Sequence, residues 1–127
     1  MSYSNLIKRI WRDIYAPNAD IIRTVDQYFH EDYEQSINVI AMKRSEYIEH
    51  VLEQKKNMTI ENIEYKHVIE KGNQLFALYY PRGRNTNNQE LEAEVIAYFC
   101  FIKSKLISIH GQVRLIKGDV TDVDMRE

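Results

Sequence analysis

From Glu90 to Phe101 every odd position is apolar (Leu91, Ala93, Val95, Ala97, Phe99, Phe101), while the even positions start as Glu90, Glu92 and Glu94 and become Ile96, Tyr98 and Cys100. Side chains alternate faces along an extended chain, so this stretch reads as a strand buried on one face throughout and on the other partway along. After a break at Lys103-Ser104-Lys105, Ile107, Ile109, Gly111, Val113 and Leu115 fall on one face, and Ser108, His110, Gln112 and Arg114 on the other. The two runs form the central hairpin of a curved antiparallel sheet. Gly111, inside a strand, marks a bend, a bulge or a close approach.

The rest of the chain must supply what covers that sheet. Ser4 or Asn5 can cap a first helix in which Leu6, Ile7, Ile10, Trp11, Ile14 and Tyr15 share a face, and Ala16-Pro17-Asn18 ends it. A second helix starts near Asn18 or Asp20 and buries Ile21, Ile22, Val25, Tyr28 and Phe29. His30 to Met42 reads as an exit into a short strand, after which Ser45 caps a third helix that holds Ile48, Val51 and Leu52 and closes near Asn57. From Met58 the period drops to two: Ile60, then Ile63, Tyr65, His67 and Ile69 alternate with Asn62, Glu64 and Lys66 up to a turn at Lys71-Gly72-Asn73. Gln74 to Tyr80 is a further strand, and Pro81 to Asn88 a polar connection. Helices gathered ahead of a twisted sheet define an α+β fold, with the sheet folded round three N-terminal helices.

Composition narrows the function classes. With 127 residues and 44% hydrophobic content the chain suits one domain with a real core. Residues 1–117 form the folded part, and residues 118–127 a loosely held acidic tail bearing Asp119, Asp122, Asp124 and Glu127 against Arg126. A net charge of -2 with 17 scattered basic residues argues against nucleic acid as a partner. The single cysteine, Cys100, makes no intramolecular disulfide, which suits a reducing compartment. With no signal-peptide core and no apolar run of spanning length, the expectation is a cytoplasmic protein that does not enter a membrane. His30, His50, His67 and His110 show no short pair spacing and no CxxC accompanies them, so no metal site is expected. Gly83 stands alone where a phosphate loop needs several glycines, no GxSxG string is present, and no cofactor is expected.

Element order and several strings together resemble the nuclear-transport-factor-two-like (NTF2-like) superfamily, in particular its SnoaL-like and ketosteroid-isomerase-like branches. The strings are Tyr28-Phe-His-Glu-Asp-Tyr-Glu-Gln, the Lys71-Gly72-Asn73-Gln74 hairpin, Ile96-Ala-Tyr-Phe, Lys105-Leu-Ile and Gly111-Gln112-Val113. The resemblance implies a cone-shaped, cystatin-like fold with an apolar pocket between helices and sheet, and a homodimer formed through the outer sheet face. It also implies a small hydrophobic carbonyl compound as partner, bound and isomerised or cyclised. Catalytic members place a carboxylate or histidine on the short strand after the second helix, which falls here at about Ser36, or at Ile37 or Asn38 if the register slips. Some cyclases place an aspartate on the last strand, and that position falls at about Gly111. Ser36, Ile37 and Asn38 cannot act as a base and Gly111 has no side chain, so the alternative is a noncatalytic ligand-binding or dimerisation module.

Enolisation in an apolar cavity needs a base with a raised pKa and a donor for the developing oxyanion. His67 is the candidate base, with Tyr65 on its stripe and Tyr98 on the facing strand, although a satisfied half-buried histidine is the commoner use of such a residue. Trp11 and Tyr15, one helical turn apart, either wall the cavity or fill the core. The expected pocket is therefore bordered by Trp11, Tyr15, Tyr65, His67 and Tyr98. Cys100 reads as an inert buried thiol, and His110, among Ser108, Gln112 and Arg114, as part of an interface or a wet face.

Overall fold

The computed structural model describes residues 2–123. Helix α1 (Tyr3–Ile14) begins where the Ser2 side chain accepts a hydrogen bond from the Asn5 amide at 3.1 Å, two residues ahead of the expected Ser4. Its buried stripe is Leu6, Ile7, Ile10, Trp11 and Ile14. A second cap reaches in from far along the chain. Glu70 accepts from the Ser4 amide at 2.9 Å, the Ser4 hydroxyl at 2.8 Å and the Tyr3 amide at 3.1 Å. At the other end the Lys55 ammonium donates to the Ile14 and Ala16 carbonyls at 2.7 Å each, which satisfies acceptors the helix cannot use itself. Helix α2 (Ile21–Tyr28) is capped by Asp20 and buries Ile21, Val25 and Tyr28.

The Ser4 amide, followed by the Ser4 hydroxyl and the Tyr3 amide, holds the Glu70 carboxyl below its ordinary value of 4.5. A carboxylate depressed in the folded state adds stability that is complete above the unfolded value and is lost as the pH falls through the folded one. Glu70→Gln is therefore expected to lower the denaturant midpoint near neutral pH and to flatten its fall on acidification. Urea unfolding of both chains at about pH 7 and about pH 3 reads this directly. Parallel curves with the same slope against pH would remove Glu70 from the helix cap.

Strand β1 (Phe29–Ile37) turns at once into β2 (Ile40–Lys43), so the expected single short strand is a hairpin. Its two turn residues, Asn38 and Val39, have φ of 51° and 60°, the left-handed pair that a tight hairpin with right-handed strand twist requires. Helix α3 (Arg44–Asn57) follows, and then β3 (Met58–Lys71), β4 (Gln74–Asn85), β5 (Glu90–Ile102) and β6 (Lys105–Lys117). Pro81 to Asn85, expected as loop, continues β4 and pairs with β3 from Met58 to Ile63. A short 3-10 turn, Val120–Val123, packs Val123 on Met58 and Leu91, so the first half of the expected loose tail is held down.

The six strands form one curved, unclosed sheet in the order β2-β1-β6-β5-β4-β3. It is mixed rather than wholly antiparallel, because β1 runs parallel to β6 while the other neighbours are antiparallel. The three helices pack on its inner face around Phe29, Tyr33, Phe99, Phe101 and Leu106, all at most 1% exposed. The α+β cone is thus present, and the odd positions of β5 line its inside. Among the described residues no helix is long and apolar enough to cross a membrane.

One irregularity decides which side chains enter the cone. Tyr65 pairs with Tyr79 and His67 with Leu78, which leaves Lys66 without a partner, a β-bulge. An extra residue shifts the two-residue period by one. Upstream, Ile63 and Tyr65 pack against the core; downstream Val68 does so, while His67 and Ile69 are exposed. The unbroken inward stripe through His67 is corrected by that single residue.

Candidate functional site

Between α1, α3 and the inner face of the sheet lies a cavity of about 180 Å³, partly open to solvent. Helix α1 contributes Trp11 and Tyr15, α3 contributes Tyr47, His50 and Gln54, and the β1–β2 hairpin contributes Gln35, Ile37, Asn38, Ile40 and Met42. The apolar floor comes from the long strands, with Ile63, Ala93, Val95, Ile109 and Val113 among others, and Val123 closes one side. Tyr47, His50 and Gln54 reach it together because three- and four-residue steps put them on one helix face.

The polar groups in this wall divide into those already engaged and those not. Tyr15 donates its hydroxyl proton to Gln54 Oε1 at 3.1 Å, and Gln54 Nε2 donates to the Val123 carbonyl at 3.1 Å. Asn38 is tied in both directions to the Val113 backbone, each bond 2.9 Å. Tyr33 donates to Gln35 Oε1 at 2.7 Å, which leaves Gln35 Nε2 with only the Met42 thioether at 3.9 Å. Two further donors, Trp11 Nε1 and the Tyr47 hydroxyl, are buried with no partner among the described residues. An unmet buried donor costs about 1–3 kcal/mol. The Tyr79 hydroxyl is raised in pKa by burial and lowered in part by the Trp11 indole, yet the two do not reach hydrogen-bond geometry.

Burial pushes the Tyr15 pKa up to about 12 and that of Tyr47 well above its ordinary value. Both therefore carry their protons near neutral pH and act as neutral donors. No Asp, Glu, Lys or Arg lines the cavity among the described residues, and no three His, Cys, Asp or Glu side chains gather there or elsewhere among them in a way that could hold a metal ion.

The five residues expected to border the pocket separate. Trp11 and Tyr15 line it. Tyr65 sits one layer back, stacked on Tyr79 at 5.5 Å with Lys8 over its ring at 5.3 Å. His67 lies on the outer face beyond the bulge, and Tyr98 lies on that face too, its ring 4.8 Å from Phe76 and its backbone opposite His110. Ser36 pairs with His110, while Gln35, Ile37 and Asn38 line the cavity. The inward polar residue of that strand is thus Gln35, one position before the expected one, and it too is no base.

Three helices held in the hollow of a bent, unclosed sheet, with a cavity between them and its inner face, make up the NTF2-like α+β cone. Solved structures bear this out. The chain is similar to a proposed isomerase from Rhodopseudomonas palustris (TM-score 0.75, 9% identity, 85% of this chain and 88% of that one) and to a proposed SnoaL-like polyketide cyclase from Jannaschia (TM-score 0.71, 8% identity, 87% and 83%). It is also similar to an NTF2-like protein from Burkholderia xenovorans (TM-score 0.59, 16% identity, 87% and 90%). At such identities the likeness is one of fold. No protein-family model matches the chain, and no curated protein matches it in sequence.

Proposed function

We propose that the cavity binds a small hydrophobic carbonyl compound and that the chain works as a homodimer. The observation that carries the first part is a hollow of about 180 Å³ with no charged side chain in its described lining, in whose wall two donors, Trp11 Nε1 and the Tyr47 hydroxyl, are buried without a partner. A ligand oxygen meets that need, and the SnoaL-like cone of the Jannaschia protein supports a small-molecule role. Tyr47→Phe tests it with two opposed signs. Without ligand the variant is expected to be at least as stable, since a desolvated hydroxyl is removed. Its affinity for acetophenone should fall about tenfold, the worth of one neutral hydrogen bond in a dry site. Calorimetric titration and thermal melting read both, and an unchanged affinity would remove Tyr47 from the contact.

Isomerisation or cyclisation needs a base as well as donors. The described lining offers no carboxylate, and its one imidazole is His50, which favours binding over turnover. Proton exchange at the α-carbon of a bound ketone in D2O is accordingly expected at the buffer rate. Faster exchange that His50→Ala abolishes would move the reading to catalysis.

The dimer rests on the outer sheet face. Ile69, Phe76 and Ile96 are 68%, 54% and 55% exposed, and pairings across the sheet join them to Tyr98 and Leu78 in one apolar patch. Beside it run self-complementary charges, Arg82 with Glu64 and Glu92 at 2.9 Å each, and Arg114 with Glu94 at 3.6 Å. A patch of this kind suits a two-fold contact with a second copy. Ile96→Asp is expected to raise the dimer dissociation constant by at least about 100-fold, because two carboxylates would be buried per interface. Light scattering across a dilution series measures it, and an unchanged mass would discard this face as the interface.

A further inference from the structure

We infer that the ligand is a neutral, single-ring compound that carries a lone-pair acceptor, an inference that rests on the cavity being a ligand site. Size comes first. An apolar protein cavity of about 150 Å³ holds one benzene, so about 180 Å³ takes one ring with a short substituent. A fused skeleton of four rings exceeds that volume.

The polarity follows from which atoms are already engaged. Every side-chain carboxamide oxygen in the described lining has a donor: Gln35 Oε1 has the Tyr33 hydroxyl, Gln54 Oε1 the Tyr15 hydroxyl, and Asn38 Oδ1 the Val113 amide. The groups left short of partners are Trp11 Nε1, the Tyr47 hydroxyl and Gln35 Nε2 with its lone sulfur contact. Two of the three, the indole nitrogen and the carboxamide nitrogen, can only donate, so a ligand that brings an acceptor matches this wall. Charge is excluded separately: among the described residues no lysine or arginine lines the cavity to neutralise a carboxylate, and no aspartate or glutamate to neutralise an amine. Burying either ion unpaired costs far more than a ring gains. Ketones, lactones, esters and quinones on one ring satisfy all three conditions.

The test is a calorimetric panel on the full chain with five probes: acetophenone, ethylbenzene, benzoate, benzylamine and a four-ring ketone. Acetophenone is expected to bind at least about tenfold tighter than ethylbenzene, which has nearly its shape and no acceptor, since the latter leaves the donors buried and unmet. Benzoate, benzylamine and the four-ring ketone are expected to be weaker still. Equal affinity for ethylbenzene would overturn the acceptor requirement, and a tighter benzoate or benzylamine would overturn neutrality. An equally tight four-ring ketone would overturn the size limit. In each of those three cases binding persists and the site itself stands. Failure of all five probes at millimolar concentration would instead remove the ligand-site reading beneath the inference. A Trp11→Phe chain completes the assignment: its preference for acetophenone over ethylbenzene should shrink at least threefold, and an undiminished preference would take the indole N–H out of the recognition.

Discussion

An Ala93→Phe chain is expected to fold and to have lost at least about 100-fold in affinity for acetophenone. Ala93 projects from β5 into the cavity, between the inward Leu91 and Val95 and opposite Leu115 on β6. A phenyl group planted there is a tethered benzene, and about 150 Å³ suffices for one, so it occupies most of the roughly 180 Å³ present. The ring moves from water into an apolar hollow, which contributes about 2 kcal/mol, and it does so without displacing a packed neighbour. Thermal melting should therefore show no loss, or a gain, while titration shows no saturable binding. Ala93→Val, which adds two methyl groups, should leave a measurable affinity between those extremes. Undiminished acetophenone binding in the Phe chain would place the ligand somewhere other than this cavity, whatever the stability readout gave.

What the sequence made legible was the periodic part of the molecule. The odd row of β5 is the inner row because strict alternation over twelve residues allows no other packing, and the stripes on α1 and α2 are buried except for Ile22, expected inside but 64% exposed, and the half-buried Tyr15. The even row taught a second lesson. Ile96, Tyr98 and Cys100 read as a second buried face, yet in the single chain Ile96 stays exposed and the other two half-exposed; the proposed partner surface is where that apolarity finds cover. The site was less legible for two separate reasons. A bulge has no composition signal of its own, so nothing around Lys66 announced that His67 would leave the inside. The apolar spacing of α3 points to Ile48, Val51 and Leu52, but Leu52 is 42% exposed and the cavity wall is Tyr47, His50 and Gln54. The usable signal was present in their spacing at 47, 50 and 54: a helix that turns a polar, hydrogen-bonding face inward lines a hollow rather than filling a core. Gln35 lies one position before the Ser36 that the family resemblance points to, and alternation counted from buried Tyr33 puts it on the inner face.

Replacing Gly83 by alanine is expected to cost about 3 kcal/mol of folding free energy, the upper end of what forcing atoms into a packed interior costs, and to lower the melting temperature by about 10 °C for a chain of this length. The reason is not conformational freedom, since Gly83 has an ordinary negative φ. It lies in what surrounds the missing side chain. Gly83 pairs with Ile60 on one side and Leu91 on the other, and the bulge between Ile60 and Asn62 carries the β3 backbone across its inner face. A Cβ at this position would fall on the Thr59 carbonyl and stand 2.9 Å from Ile60 Cα. Both are backbone atoms held in a sheet, so no side-chain rotation relieves the overlap and the strands must part. Gly72 supplies the control. Its φ is +59° at the β3–β4 turn and nothing lies within 4 Å of an added Cβ, so Gly72→Ala carries only the backbone cost of a left-handed residue, about 1 kcal/mol. Chemical denaturation of the two variants side by side separates crowding from dihedral strain. If Gly83→Ala proved as mild as Gly72→Ala, the close pass of β3 over β4 would have to be absent. With it would go the bend that brings Ile60, Ile63 and Pro81 to the cavity wall.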